Sequence, residues 1–170
     1  MPEHADQLQI DQDLAFQRHE WKAQRVGWWA LTAFVLAATL GVFGKGPLSH
    51  ARAGTPGAPL WVDYDRFVRV GSGTRIVVNG QAAAHGGADS VFVVRMNRQY
   101  FDGIRIEQLS PQPISMTVGA DVVDLHFAGA AAGTRVTVVL DVEPLRAGRS
   151  HARFTTARDE HVSFTQFAYF

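Results

Sequence analysis

The sequence has 170 residues and not one cysteine. This absence excludes disulfide frameworks, thiol nucleophiles, Cys-ligated zinc and iron–sulfur clusters together. An excess of charge of one sign is also lacking, because sixteen Lys and Arg balance sixteen Asp and Glu. Domains that bind nucleic acid usually carry a clear basic excess, so we expect no nucleic-acid partner. With 46% apolar residues, the chain is not a disordered polar segment either.

Motifs for catalysis or metal binding are scarce as well. The seven histidines include no His-x-His or His-x-x-x-His pair, and no Gly-x-Ser-x-Gly occurs. Asp124 and His126 would share one face of a strand, which is more typical of a solvent-facing surface than of a metal or proton site. We therefore predict no catalytic residues, no cofactor and no bound metal.

One long apolar segment is present. Residues 26–44 carry no charge and lie between Arg25 and Lys45. As a helix they would be about 28 Å long, close to the ~30 Å hydrocarbon core of a bilayer. Trp28 and Trp29 stand at the N-terminal end, where indole rings favour the headgroup region. The segment predicts a transmembrane helix over 26–44.

A cleaved signal peptide is the alternative interpretation, because Ala51, Arg52 and Ala53 give an Ala-x-Ala pattern. However, the apolar segment is longer than the ~7–15 residues of a signal-peptide core, and the pattern lies well beyond its end. The sequence favours an uncleaved signal anchor and leaves open whether the chain is ever cut after Ala53.

The basic residues around the span indicate its orientation. Three of them precede the span within about twenty residues and two follow it, so the N-terminus is predicted in the cytoplasm. Residues 1–25 would form a cytoplasmic amphipathic arm that either lies against the lipid headgroups or extends the spanning helix into the cytoplasm, and the chain beyond the span would be extracytoplasmic. The membrane-interface residues predicted from this pattern are Arg18, Lys22, Arg25, Trp28 and Trp29.

Beyond the span, residues 45–59 are rich in Gly and Pro and predict a linker. Residues 60–170 contain eight or nine short segments with apolar residues at alternate positions, as in RVTVVLDVE at 135–143. Asn79-Gly80 is one of several turn signals between them. The pattern predicts a mainly β domain, an antiparallel Ig-like β-sandwich, with a small barrel as the alternative.

A cluster in the middle of this domain combines two arginines with two aromatic residues. Arg and Tyr are frequent anchors at protein interfaces. The cluster predicts a possible interaction edge made of Arg95, Arg98, Tyr100 and Phe101. Stacking of the arginines on the aromatic rings for purely structural reasons is the other interpretation.

Three parts of the chain also carry a resemblance. They are QRHEWKAQRVGWW with FGKGPLS around the apolar segment, the central GIRIEQLSPQP, and the terminal VSFTQFAYF. Together they resemble a group of small uncharacterised bacterial single-pass inner-membrane proteins with an extracytoplasmic β-domain. The resemblance implies location in a bacterial inner (plasma) membrane and makes another membrane protein a plausible partner, and it brings no catalytic motif.

Two hypotheses about function remain. The first is a membrane-anchored, extracytoplasmic protein-interaction module, an accessory partner of another membrane or envelope protein. The second is a membrane-anchored enzyme or ligand-binding β-domain with a pocket that linear motifs do not reveal. The absence of a coherent acid, base, nucleophile or metal set favours the first.

Overall fold

The computed structural model describes residues 14–40, 46–82, 91–128, 131 and 133–170. The chain divides into two compact units, residues 1–37 and residues 38–170. The first unit contains a long helix, and the second contains two β-sheets.

Helix α1 runs from Leu14 to Thr39, so the described part of the predicted arm, residues 14–25, and most of the predicted span lie in one continuous helix. The Thr32 hydroxyl donates to the Trp28 carbonyl oxygen at 2.8 Å, which satisfies a polar side chain in the apolar part. Residues 41–44, the end of the predicted span, lie outside the described residues.

Within the part of the chain that the structure describes, no helix combines the length and the apolar character needed to cross a membrane.

The second unit contains eleven strands among its described residues and one short helix, α2 (Arg98–Phe101), between β5 and β6. The strands are β1 (His50–Ala53), β2 (Leu60–Asp65), β3 (Phe67–Arg69), β4 (Thr74–Gln81), β5 (Val91–Asn97), β6 (Ile104–Ser110), β7 (Ser115–Val118), β8 (Val122–Ala128), β9 (Arg135–Pro144), β10 (Gly148–Thr156) and β11 (His161–Tyr169).

These strands form two sheets that enclose one core. The five-stranded sheet has the order β1-β2-β4-β9-β6, and the six-stranded sheet has the order β3-β11-β10-β5-β8-β7. Buried residues of both sheets belong to a single hydrophobic cluster, which confirms the prediction of a mainly β sandwich. The prediction that all strands are antiparallel is wrong at one pair, because β3 pairs with β11 in parallel.

Three local predictions need correction. Residues 50–53, within the predicted linker 45–59, form β1 and pair with β2. Strand β10 was not expected, yet it lies at the centre of the six-stranded sheet. Asn79-Gly80 is not a turn but part of β4, where the missing side chain of Gly80 leaves room for the ring of Phe92.

The alternation of apolar residues along each strand builds the core. In β9, Val138, Leu140 and Val142 are fully buried while the residues between them face outward. In β11, Phe164 and Ala168 point inward and are buried. Because successive side chains of a strand point to opposite faces, both sheets can pack one apolar face inward.

One end of the core is filled by aromatic rings. Phe154 stacks on Phe164 with ring centroids 5.7 Å apart, and Phe164 stacks on Tyr64 at 4.0 Å. Tyr100 from α2 meets the edges of Phe154 and Phe164 at 6.3 and 6.1 Å. Offset and edge-to-face pairs of this kind add to the stabilisation that burial alone provides.

Candidate functional site

The predicted interaction edge does not exist as one exposed surface. Tyr100 is buried in the aromatic cluster, and Phe101 packs against the core. Arg95 lies on β5, which is an interior strand of its sheet, and not on an edge. Arg98 begins α2 and donates to Asp102 at 2.7 Å. The sequence identified the cluster but could not reveal that the short helix turns its aromatic side chains inward.

The two arginines of this cluster are paired with acceptors and not with aromatic rings. Arg95 donates two hydrogen bonds to Asp124 on the neighbouring strand β8, at 2.7 and 2.9 Å. These hydrogen bonds lower the pKa of the Asp124 carboxyl, while burial acts in the opposite direction. Asp124 and His126 share the outer face of β8, as predicted.

This pair makes stability depend on pH in a defined direction. A carboxyl whose pKa is lower in the folded state stabilises the fold above its unfolded pKa, and that contribution is lost as the pH falls through the folded pKa. We expect Asp124→Asn to lower the free energy of unfolding at neutral pH by no more than about 1 kcal/mol, because the pair is partly exposed. The difference from the wild type should begin to shrink near the unfolded pKa of about 4 and should vanish only below the lowered pKa of the folded state.

Denaturant titrations followed by circular dichroism at several pH values would measure this difference. A deficit of Asp124→Asn that stays the same from neutral to strongly acidic pH would contradict a role for the carboxylate charge.

The outer face of the five-stranded sheet carries further ion pairs. Arg75 donates to Asp141 at 2.8 and 3.2 Å, and Arg105 donates to Glu143 at 2.9 Å. Arg52 forms a third pair with Asp63. Each pair joins neighbouring strands, so most charges on this face neutralise one another.

A shallow polar cleft lies beside these pairs, between His50, Asp65, Thr74, Glu107 and the Arg75–Asp141 pair. The Asp65 carboxylate accepts a hydrogen bond from Thr74 at 3.3 Å and lies 3.5 Å from His50. Among the described residues, no group of three His, Asp or Glu side chains could hold a metal ion. The charged groups of the cleft are therefore engaged mainly with one another.

The predicted membrane-interface residues lie on α1. Trp28 and Trp29 expose 62% and 71% of their surface, and the Arg25 guanidinium lies 4.4 Å from the ring centroid of Trp21. Lys22 is exposed as well, and the side chain of Arg18 lies outside the described residues. Large exposed indole rings beside a basic group suit a bilayer interface, and membrane contact of this helix remains a prediction.

The most distinctive surface of the second unit is strand β7 with the residue before it. All four residues of β7 are exposed. Ile114, Met116 and Val118 are 63%, 50% and 47% exposed. Met116 lies opposite Leu125 and Val118 lies opposite Val123, and both of these β8 residues are fully buried. The apolar side chains of β7 are thus on the core-facing side of the sheet but remain half in solvent.

Among the described residues, strand β7 also has an unpaired long edge, because it is the last strand of its sheet. The Gly119 N–H donates to the Val122 carbonyl at 2.8 Å, next to the β7–β8 ladder. In an antiparallel ladder, every second residue directs its N–H and C=O groups to the neighbouring strand. Because Gly119 bonds to β8, Thr117 and Ser115 also direct these groups to β8. The N–H and C=O groups of Met116 and Val118 consequently point to the free edge.

The other three edge strands carry features that discourage pairing with another chain. Strand β1 carries Arg52, and β3 ends with Arg69. Strand β6 carries Arg105 and a register shift between Ile106 and Gln108. Charged side chains and bulges protect sheet edges in natural proteins. Strand β7 has neither of these features, so we define the β7 edge as Ile114 together with residues 115–118.

The β7 edge was not identified from the sequence. The alternation of Ile114, Met116 and Val118 predicted a strand, but alternation does not tell an edge strand from an interior one. The available signal was the lack of charge: residues 111–120, PQPISMTVGA, contain no Asp, Glu, Lys or Arg.

No protein-family model matches the chain, and no curated protein matches it either. Among solved structures, it is similar to a cohesin module of a family 33 glycoside hydrolase from Clostridium perfringens, with 10% identity and a TM-score of 0.35, over 63% of this chain and 93% of that one. A non-cellulosomal cohesin from Archaeoglobus fulgidus matches with 10% identity and a TM-score of 0.37, over 61% and 86%.

Domains D2 and D3 of the major pilin SpaD from Corynebacterium diphtheriae match with 8% identity and a TM-score of 0.40, over 69% of this chain and 49% of that one. Likenesses at this level say nothing about function.

Proposed function

We propose that the chain is a membrane-anchored, extracytoplasmic protein-interaction module that acts as an accessory partner of another protein of the membrane or envelope. In this proposal residues 26–44 span a bacterial inner membrane once, with the N-terminus in the cytoplasm. The second unit is an Ig-like sandwich that binds its partner through the β7 edge. The uncharged edge strand, in which each of the four residues is exposed, is the observation that carries the proposal.

Two physical arguments support the β7 edge as the binding surface. Its free N–H and C=O groups can accept an added strand, and main-chain hydrogen bonds provide affinity in that mode of binding. Its half-exposed apolar side chains, Met116 and Val118, would lose water contact when a strand is added. Elsewhere on the two sheets, pairs such as Arg75–Asp141 and Arg95–Asp124 already satisfy each other.

A photo-crosslinking amino acid placed at position 116 in living cells tests the binding surface. We expect crosslinks to a protein at this position. The matched control is the same amino acid at Ser163, an exposed residue on the outer face of β11, where we expect none. Equal crosslinking at both positions, or none at position 116, would overturn the assignment of the β7 edge.

Reporter fusions test the membrane arrangement separately. A reporter that is active only outside the cytoplasm should be active when it is fused after Phe170 and inactive when it is fused before residue 14. The reverse pattern would overturn the orientation, and recovery of the full chain in the soluble fraction of lysed cells would overturn the anchor.

A further inference from the structure

We propose that the β7 edge pairs with the β7 edge of a second copy of this chain, in antiparallel orientation about a two-fold axis at Met116. The inference rests on the proposed function, which makes the β7 edge a protein-binding surface. It identifies the protein bound at this edge as a second copy of the same chain. Pairing of this kind would join the two six-stranded sheets into one continuous sheet across the dimer.

The β7 edge has the same order of apolar and hydroxyl residues from its N-terminal end as from its C-terminal end. Ile114, Met116 and Val118 alternate with the hydroxyl residues Ser115 and Thr117. An antiparallel copy centred on Met116 therefore places Met116 opposite Met116, Ile114 opposite Val118, and Ser115 opposite Thr117. Apolar residues meet apolar residues and hydroxyls meet hydroxyls, and both kinds of cross-strand pair are favourable.

The backbone geometry supports the same register. Met116 and Val118 direct their N–H and C=O groups to the free edge, so the two copies of Met116 can exchange a pair of hydrogen bonds. The Ile114 N–H already donates to the His126 carbonyl oxygen of β8 at 2.7 Å, so the contact between copies rests on the pair of hydrogen bonds at Met116.

Charge also favours a second copy. Identical edges bring identical charges together, and like charges directly opposite each other destabilise a pair of strands. The ten residues 111–120 carry no charge, so two copies meet without this repulsion. Anchors in one membrane would also confine both copies to the same layer, which raises their effective concentration.

Cysteine crosslinking tests the register sharply because the natural chain contains no cysteine. Directly opposed, hydrogen-bonded residues have Cα atoms about 5.5 Å apart, within the range that a disulfide bridges. We expect the full-length Met116→Cys chain, in detergent micelles under mild oxidation, to run mostly at twice the monomer mass. Ser163→Cys, on the outer face of β11, is the matched control and should remain mostly monomeric.

Cysteines at positions 114 and 118 test whether the two-fold axis lies at Met116. Val118→Cys alone should crosslink poorly, whereas a mixture of Ile114→Cys and Val118→Cys chains should form a mixed dimer. Met116→Lys, which places two like charges opposite each other, should convert the non-oxidised dimer to a monomer. Met116→Cys that crosslinks no better than Ser163→Cys would overturn the proposal.

The photo-crosslinks at position 116 separate this inference from the function on which it rests. A product at twice the mass of the chain supports self-pairing and the use of the β7 edge as a protein-binding surface, and it overturns the assignment of a different protein to that edge. A product that contains a different protein supports the interaction module and overturns self-pairing. The absence of any product overturns both.

Discussion

Replacing Phe154 by alanine is expected to lower the free energy of unfolding of the sandwich by about 3–5 kcal/mol. Phe154 is fully buried, stacks on Phe164 and meets the edge of the Tyr100 ring. Its removal loses the transfer free energy of the ring and leaves a cavity among stiff aromatic neighbours. Because whole domains are stable by only about 5–15 kcal/mol, this change would consume a large share of the total.

Denaturant titration of the full chain in detergent, followed by circular dichroism of the strands, would measure this loss. Phe167→Ala is the matched control, because Phe167 lies on the outer face of β11 and is 47% exposed. We expect the control to change the free energy of unfolding by roughly 0.5 kcal/mol or less. A similar loss for both variants would contradict the aromatic packing at this end of the core.

Replacing Gln166 by leucine is expected to have the second large effect. Gln166 is almost fully buried and connects two elements: its Oε1 accepts from the Tyr100 hydroxyl, and its Nε2 donates to the Asp65 carbonyl oxygen at 2.9 Å. Leucine would leave the Tyr100 hydroxyl and the Asp65 carbonyl oxygen without this hydrogen-bond partner in the core. A buried polar group that loses its partner costs about 1–3 kcal/mol, so the total approaches the loss expected for the aromatic ring.

A double-mutant cycle identifies the cause. Tyr100→Phe removes the hydroxyl group, so adding it to Gln166→Leu should restore part of the stability instead of lowering it further. Gln108→Leu, at an exposed position of β6, is the control and should have little effect. Strictly additive losses for Tyr100→Phe and Gln166→Leu would contradict the buried hydrogen bond between them.

The sequence predicted those strands whose buried face is rich in large apolar residues. Strand β9 alternates Val, Leu and Val inward, and β11 alternates in the same way. The sequence does not indicate β10, because its inward residues include the small Ala152 and the polar Thr156, with Phe154 as the large apolar residue among them. The better signal in β10 was its outward series of basic residues, Arg149, His151 and Arg153.

The candidate site was less predictable than the strands. Whether a strand lies at an edge depends on the order of strands in the sheet, which is set by pairings between distant parts of the chain. Tyr100 illustrates the same limit, because a four-residue helix has too few residues to indicate which of its side chains is buried. Exposure of Ile114 and burial of Tyr100 both follow from tertiary packing and not from the local pattern.

The position of β3 bears on how far assembly can proceed. After two copies pair through the β7 edge, the outermost strands of the joined sheet would both be β3, which has three residues and ends with Arg69. A short strand that carries a charge is a poor template for further sheet growth. Pairing would therefore close at a finite assembly of two chains and would not extend into a fibre, because a symmetric contact uses up the surface that forms it.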